Sequence, residues 1–237
     1  MSHQYVDKNT LKTWMGLSGS TQDTNLDVAL DAASAAIDSY CGRQFTISAA
    51  VETRLYDCEF MDYADHYGFA ICSPQGTIDD YNSSFWNVGY SFHDNEIVND
   101  VGFVSELARF LQNEYGLSAD KTFCTGMSNG GDLSYLLACE ASDIFSAAAP
   151  VAGCMVVDFY NDCSPSNNIS IFEIHGRDDD ITLWDGDIND QDGWGPYLGT
   201  STIIDFWVQQ YQCSNYILDT LQDVNTFDGS YIISHKY

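Results

Sequence analysis

Gly126-Met127-Ser128-Asn129-Gly130-Gly131 is the stretch of this 237-residue chain whose residue types and spacing could do chemistry. A strand-like run, Lys121 to Thr125, leads into it and a helical pattern from about Asn129 to Cys139 follows it, so Ser128 falls on a strand-to-helix turn. Small residues there let backbone pass close to backbone and leave the hydroxyl exposed above the sheet edge. The N-terminus of the following helix favours negative charge developing at that point. In this setting Ser128 reads as a nucleophile and the backbone N–H of Asn129 as an oxyanion donor. The competing reading is a helix-capping serine after a glycine turn, and the strand-turn-helix context favours the nucleophile.

A serine hydroxyl needs a base, and a histidine base needs an acid to hold its tautomer. The buried strand Ile169 to Ile174 runs into His175-Gly176-Arg177-Asp178-Asp179-Asp180, placing carboxylates at the same sheet edge. Asp178, Asp179 and Asp180 all qualify on spacing, and a solvated acidic loop accounts for at least two of them. His175 precedes the acid and reads as a satisfied structural histidine, while His3, His66 and His93 precede Ser128. His235 alone has the chain order Ser, Asp, His, but it sits in a strand-like stretch near the last residue given. Asp185, Asp187 and Asn189 alternate like the start of a calcium loop. Asp190 stands where a glycine is wanted, however, and Pro196 where the bidentate glutamate belongs, so no metal is expected and no cofactor is called for.

The elements that must position these residues change in character along the chain. Thr10 to Gly16 reads as a short helix, and Leu26, Leu30, Ala33, Ile37 and Tyr40 as one face of a longer one closed by Gly42. Val51 to Tyr56 alternates like a strand. From Asp65 strands and helices alternate: a strand at Tyr67 to Cys72, a helix at Val101 to Tyr115, a strand at Ala147 to Val151, a helix at Thr202 to Tyr211 and a last strand at Ser230 to Ser234. That rhythm predicts an α/β fold, a largely parallel sheet with helices on both faces, behind a small helical N-terminal segment. Thirty-five acidic residues against eight basic ones give a net charge of −27, which argues against nucleic acid and anionic membrane as partners. Residues 1–57 hold seven acids and four bases, residues 58–237 the other 28 and four, a shift that divides the chain at about residue 57. No apolar run approaches the ~20 residues a membrane span needs, and the first eight residues lack the pattern of a secretory signal. None of the eight cysteines forms a Cys-x-x-Cys pair; Cys154 and Cys163 could close a nine-residue excursion, with free buried thiols equally open.

Residues 58–237 resemble the polyhydroxybutyrate depolymerase and feruloyl or acetylxylan esterase group of secreted α/β-hydrolases. The likeness is carried by Tyr67-Gly68-Phe69-Ala70, Pro74-Gln75-Gly76, Asp100-Val101-Gly102-Phe103, Thr125 to Gly131, Ala149-Pro150-Val151-Ala152-Gly153, His175-Gly176, and Trp207 with Cys213. It implies a carboxylic ester hydrolase with Ser128 as nucleophile. Asp179 becomes the acid, because the family's acid comes four residues after the histidine of its His-Gly turn. It also implies an ester substrate, a polyester or a plant polysaccharide ester; Trp86, Trp184 and Trp194 could line a pocket for it or equally form local core. The family's triad histidine lies in a Gly-Gly-Gly-His turn, and its second oxyanion donor on a His-Gly loop ahead of Asp65. Neither has a counterpart in this sequence, so an incomplete sheet is expected unless Val51 to Tyr56 fills the gap, and impaired activity unless His235 serves as the base. Residues 1–57 resemble head-tail connector proteins of tailed phages through Leu11-Lys12-Thr13-Trp14, Asp31 to Ile37, Tyr40-Cys41-Gly42-Arg43 and Thr53-Arg54-Leu55-Tyr56. That likeness makes a structural adaptor that self-associates through its N-terminal segment, or a chimera of the two origins, the rival expectation.

Overall fold

In the computed structural model the described residues are 8–14, 18–21, 23–41, 59–224 and 227–237. They divide into two compact units, one drawn from Met1–Phe85 with Glu96–Glu106, the other from Trp86–Asn95 with Leu107–Tyr237. The expected division at residue 57, and the strand expected at Val51 to Tyr56, lie outside the described residues.

In the first unit α1 (Lys8–Trp14) meets α2 (Asp23–Cys41). Lys8 Nζ lies 2.7 Å from Asp27 and Lys12 Nζ 2.7 Å from Asp23, while Leu26 and Leu30 are buried. The strand expected at Tyr67 to Cys72 is not formed. Tyr67 ends α3 (Glu59–Tyr67), Gly68 turns left-handed at φ 72°, and both Gly68 and Phe69 donate N–H groups back to the Ala64 carbonyl. A glycine with positive φ that closes the last helical carbonyl is a helix stop. Phe69 and Ile71 are left exposed, because an apolar run becomes a strand only where a neighbouring edge can pair with it. A two-residue antiparallel ladder, β1 (Thr77–Ile78) with β2 (Ser84–Phe85), follows. Helix α4 (Asp100–Tyr115) begins in this unit and runs into the second.

The second unit is built on a parallel sheet ordered β3 (Phe123–Met127), β4 (Ala147–Val151), β5 (Ser170–Ile171). Pairing continues past β5: Phe172 donates to Ala148, Ile174 to Pro150, and Ala152 to Ile174, so the expected strand over 169–174 is realised as an extended segment. Helix α5 (Asn129–Glu140) packs on β3 and β4 and is buried from Gly131 to Cys139, which is why its sequence shows little amphipathic contrast, with Asp132 and Ser134 buried among its apolar residues. Tyr135, Leu137, Met155, Tyr197, Ile203 and Trp207 fill the core around it, the last from α7 (Thr200–Gln210). Among the described residues β3 is an edge of the sheet, with Phe123 and Met127 exposed. Among the described residues the last strands, β8 (Ile217–Thr220) and β9 (Ile233–Lys236), pair only with each other.

Among the described residues a disulfide joins Cys139, near the end of α5, to Cys163, which closes α6 (Val157–Asp162). The pairing of Cys163 with Cys154 considered from sequence is thereby replaced, and Cys154 is a buried free thiol. Loss of the cross-link, which spans 24 residues, is expected to cost about 3 kcal/mol of folding free energy in Cys163→Ser, measured by urea unfolding with and without reductant. Equal stability of the oxidised and reduced wild type would refute this.

Candidate active site

Because β3, β4 and β5 run parallel, the segments after them emerge at one edge: Ser128 after β3, Ala152-Gly153 after β4, and His175 to Asp180 after β5. The carboxyl end of a parallel sheet is where α/β proteins place their sites. Ser128 stands at φ 53°, ψ −123°, a backbone region an L residue occupies only when its surroundings force it there. The forcing contacts are visible. Ser128 donates its N–H to the Val151 carbonyl at 2.9 Å, extending the β3–β4 ladder, and its own carbonyl accepts the Asp132 N–H at 3.0 Å, starting α5. A Cβ on Gly126 would lie 2.4 Å from the Gly130 carbonyl oxygen, and one on Gly131 would lie 2.9 Å from that of Val151 and 3.0 Å from Gly153 Cα. The glycines are therefore required by backbone meeting backbone. Ser128 is half-buried, and its Oγ makes no hydrogen bond with the described residues.

Asn129 opens α5, so its backbone N–H has no intrahelical acceptor. Its carboxamide clamps Trp86: Oδ1 accepts the Trp86 N–H at 2.6 Å and Nδ2 donates to the Trp86 carbonyl at 3.0 Å. One turn on, buried Asp132 accepts the Cys154 N–H at 2.6 Å through one oxygen and the Tyr90 hydroxyl through the other. Tyr90 in turn packs against Trp194, ring centres 5.9 Å apart. The first turn of α5 is thus tied to the 86–90 segment and to the loop after β4. Sequence reasoning missed Asp132; its position in the first turn of a helix was the available signal.

Burial pushes the Asp132 carboxyl up to about 6, the hydrogen bonds from Tyr90 and Cys154 opposing this and the Glu173 charge adding to it. A carboxyl whose folded pKa exceeds its unfolded value of about 3.9 favours folding below that value, and the contribution is lost as pH rises through about 6. At pH 7.5 the ionised group costs roughly 3 kcal/mol relative to acid. Asp132→Asn is accordingly expected to gain about 2 to 3 kcal/mol more over wild type at pH 7.5 than at pH 4.5 in paired denaturant titrations. A difference that does not change with pH would show that Asp132 titrates normally.

Of the three aspartates after β5, Asp178 and Asp180 are exposed, whereas Asp179 is built in: its Oδ1 accepts the N–H groups of Ile181 and Thr182, each at 2.9 Å. His175 is buried with both nitrogens engaged, Nδ1 3.1 Å from Glu173 Oε1 and Nε2 2.7 Å from the Thr182 carbonyl. Burial of the ring opposes its charge. The hydrogen bond to Glu173, the Thr182 carbonyl and the charges of Glu173 and Asp179 outweigh that and hold the pKa above the ordinary histidine value. Trp184 meets the ring edge-on, with Arg177 over its indole. His235 lies exposed in the β8–β9 hairpin, its Nδ1 3.1 Å from the Tyr216 hydroxyl, and is not hydrogen-bonded to Ser128 or Asp179. The alternating acids after Asp185 are absorbed by turns: Asp187 Oδ2 accepts from Gln191 and Asp192, and Asp190 Oδ1 from Gly195.

A strained serine between a parallel strand and a buried helix, on a sheet of this order, defines the α/β-hydrolase fold. The chain belongs to the prolyl oligopeptidase family, whose sequence profile matches residues 60–180. That match begins at residue 60, and the comparisons lend no support to the phage-connector likeness expected for residues 1–57. The chain is also similar to feruloyl esterase B of Piromyces equi, 23% identical over 133 residues covering 54% of this chain and 24% of the relative. It is 30% identical to the poly(3-hydroxybutyrate) depolymerase of Ralstonia pickettii over 92 residues, 38% of this chain and 19% of the relative. With the bifunctional acetylxylan esterase/xylanase of Neocallimastix patriciarum it shares 25% identity over 118 residues, 50% of this chain and 16% of the relative. These matches span about a quarter or less of each relative's length. Among solved structures a thermostable esterase aligns with TM-score 0.35 and 27% identity, over 43% of this chain and 26% of that one.

Proposed function

We propose that this chain is a carboxylic ester hydrolase in which Ser128 attacks the ester carbonyl, the Asn129 N–H receives the oxyanion and Asp179 is the acid that orients a histidine base. The observation that carries the reading is the backbone of Ser128, φ 53° and ψ −123°, held between β3 and α5 with its hydroxyl uncommitted. That strain has a reason if the hydroxyl must stand clear of the sheet edge to reach a substrate. The names of the similar proteins, feruloyl esterase, acetylxylan esterase and polyhydroxybutyrate depolymerase, support a polyester or plant polysaccharide ester as substrate class.

The base is the weak part of the constellation. Among the described residues no histidine is hydrogen-bonded to Ser128, and His235, which has the required chain order, is held by Tyr216. Turnover is therefore proposed at the residual level that a serine hydrolase retains without its base, roughly 10⁶-fold below a complete triad. The test is a fluorophosphonate probe followed by peptide mapping of the adduct. Slow modification confined to Ser128 supports the reading. Modification spread over several serines at similar rates, or none at Ser128 in folded protein, sinks it.

A further inference from the structure

We infer that His175 is a positioning residue, held as an imidazolium, that ties the helix beginning after Ser128 to the loop carrying Asp179. Both ring nitrogens face acceptors, a carboxylate oxygen of Glu173 and the carbonyl of Thr182. A neutral imidazole has one N–H and would set a lone pair against one of these acceptors; at Nδ1 only the longer 3.3 Å contact from the Thr200 hydroxyl could offset this, whereas an imidazolium satisfies both acceptors. The ring is 1% exposed and the Glu173 side chain 7%, so the pair is withdrawn from water and its hydrogen bond is charge-assisted.

The connections run outward from this pair in both directions. Glu173 accepts the Tyr135 hydroxyl at 2.5 Å through its other oxygen, and Tyr135 lies in α5, about two turns beyond Ser128. On the other side Thr182, whose carbonyl takes Nε2, donates its N–H to Asp179, and Asp179 Oδ2 lies 3.8 Å from Nε2. The charged and titratable groups around the ring are Glu173 and Asp179 from its own strand and loop, Tyr135 from α5, and Arg177 on the face of Trp184; α7 brings the Thr200 hydroxyl, 3.3 Å from Nδ1. The acid's importance to the reaction rests on the hydrolase reading above, but the ordering of the 175–182 loop by a buried charge does not.

The test uses the full chain. Nitrogen-15 imidazole spectra are expected to show one histidine, lost in His175→Gln, that is doubly protonated at pH 7.5. The protection of the Ile181 and Thr182 amides against hydrogen exchange is expected to fall about ten- to hundredfold in His175→Gln. It should fall comparably in wild type once the ring is finally neutralised. A neutral tautomer at pH 7.5 overturns the inference, and so does an imidazolium whose loss leaves both amides equally protected. Should His175→Gln fail to fold, the wild-type spectrum and the pH dependence of protection still decide. Absence of fluorophosphonate labelling at Ser128 would instead overturn the hydrolase reading and leave these measurements standing.

Discussion

Ser128→Ala is expected to abolish fluorophosphonate labelling and any hydrolysis of simple aryl esters, bringing both to the level of unfolded protein, while circular dichroism and the unfolding midpoint stay at wild-type values. The loss is complete because nucleophile and covalent intermediate disappear together. Stability is unchanged because alanine inherits the same left-handed backbone, φ 53°, and the same strain. Ser128→Gly separates the two effects. It is equally unreactive but is expected to be about 1 kcal/mol more stable, since glycine occupies that region without a Cβ penalty and gives back part of the gain as unfolded-state entropy. A reactive Ser128→Ala would show the labelled serine lies elsewhere. A Ser128→Gly protein less stable than wild type would show that the strain argument is wrong.

The second large effect concerns the glycines behind the serine. Gly131→Val should lose about 3 kcal/mol or more of stability, because its Cβ would stand 2.9 Å from the Val151 carbonyl oxygen and 3.0 Å from Gly153 Cα, backbone atoms that cannot rotate away. Gly130, its neighbour in the same motif, has open space where a Cβ would be and helical backbone, so Gly130→Ala should gain about 0.5 to 1 kcal/mol. Urea unfolding of the two variants beside wild type measures the contrast. If both glycines tolerate a side chain equally, α5 does not pack on the loop after β4 as described.

These effects bear on how the site works as well as on how it holds. The close approach of Gly131 to Gly153 brings Asp132 within reach of the Cys154 N–H. The same turn carries the Asn129 clamp on Trp86. Widening the contact should therefore move the serine, its N–H donor and the 86–90 segment together, and the loss of stability in Gly131→Val should be accompanied by loss of labelling in whatever fraction remains folded.

Much of this was legible in the residues themselves where the determinant is local. The strand-turn-helix around Ser128, the helix over Val101 to Tyr115 and the apolar strand at Ala147 to Val151 follow from spacing and from glycines at close approaches, and the structure has all three. The motif alone could not say which of three consecutive aspartates is built into the fold. Only Asp179 of the three is drawn into the turn, because its carboxylate can reach the next N–H groups in the loop, those of Ile181 and Thr182. Local pattern also failed at Tyr67 to Cys72, where an apolar run without a paired edge follows a left-handed glycine.

What the sequence by itself determined is the strained turn: Gly126, Ser128 and Gly131 specify a backbone that few other residues would permit, with a serine at its apex. What only the tertiary structure decided is the set of partners brought from far along the chain: Tyr90 to Asp132, Cys163 to Cys139, and Tyr135 to the buried Glu173–His175 pair. The physical reason is that a turn is set by the sterics of a few adjacent residues. A buried polar group must find its hydrogen-bonding partner wherever the packing of strands and helices happens to deliver one.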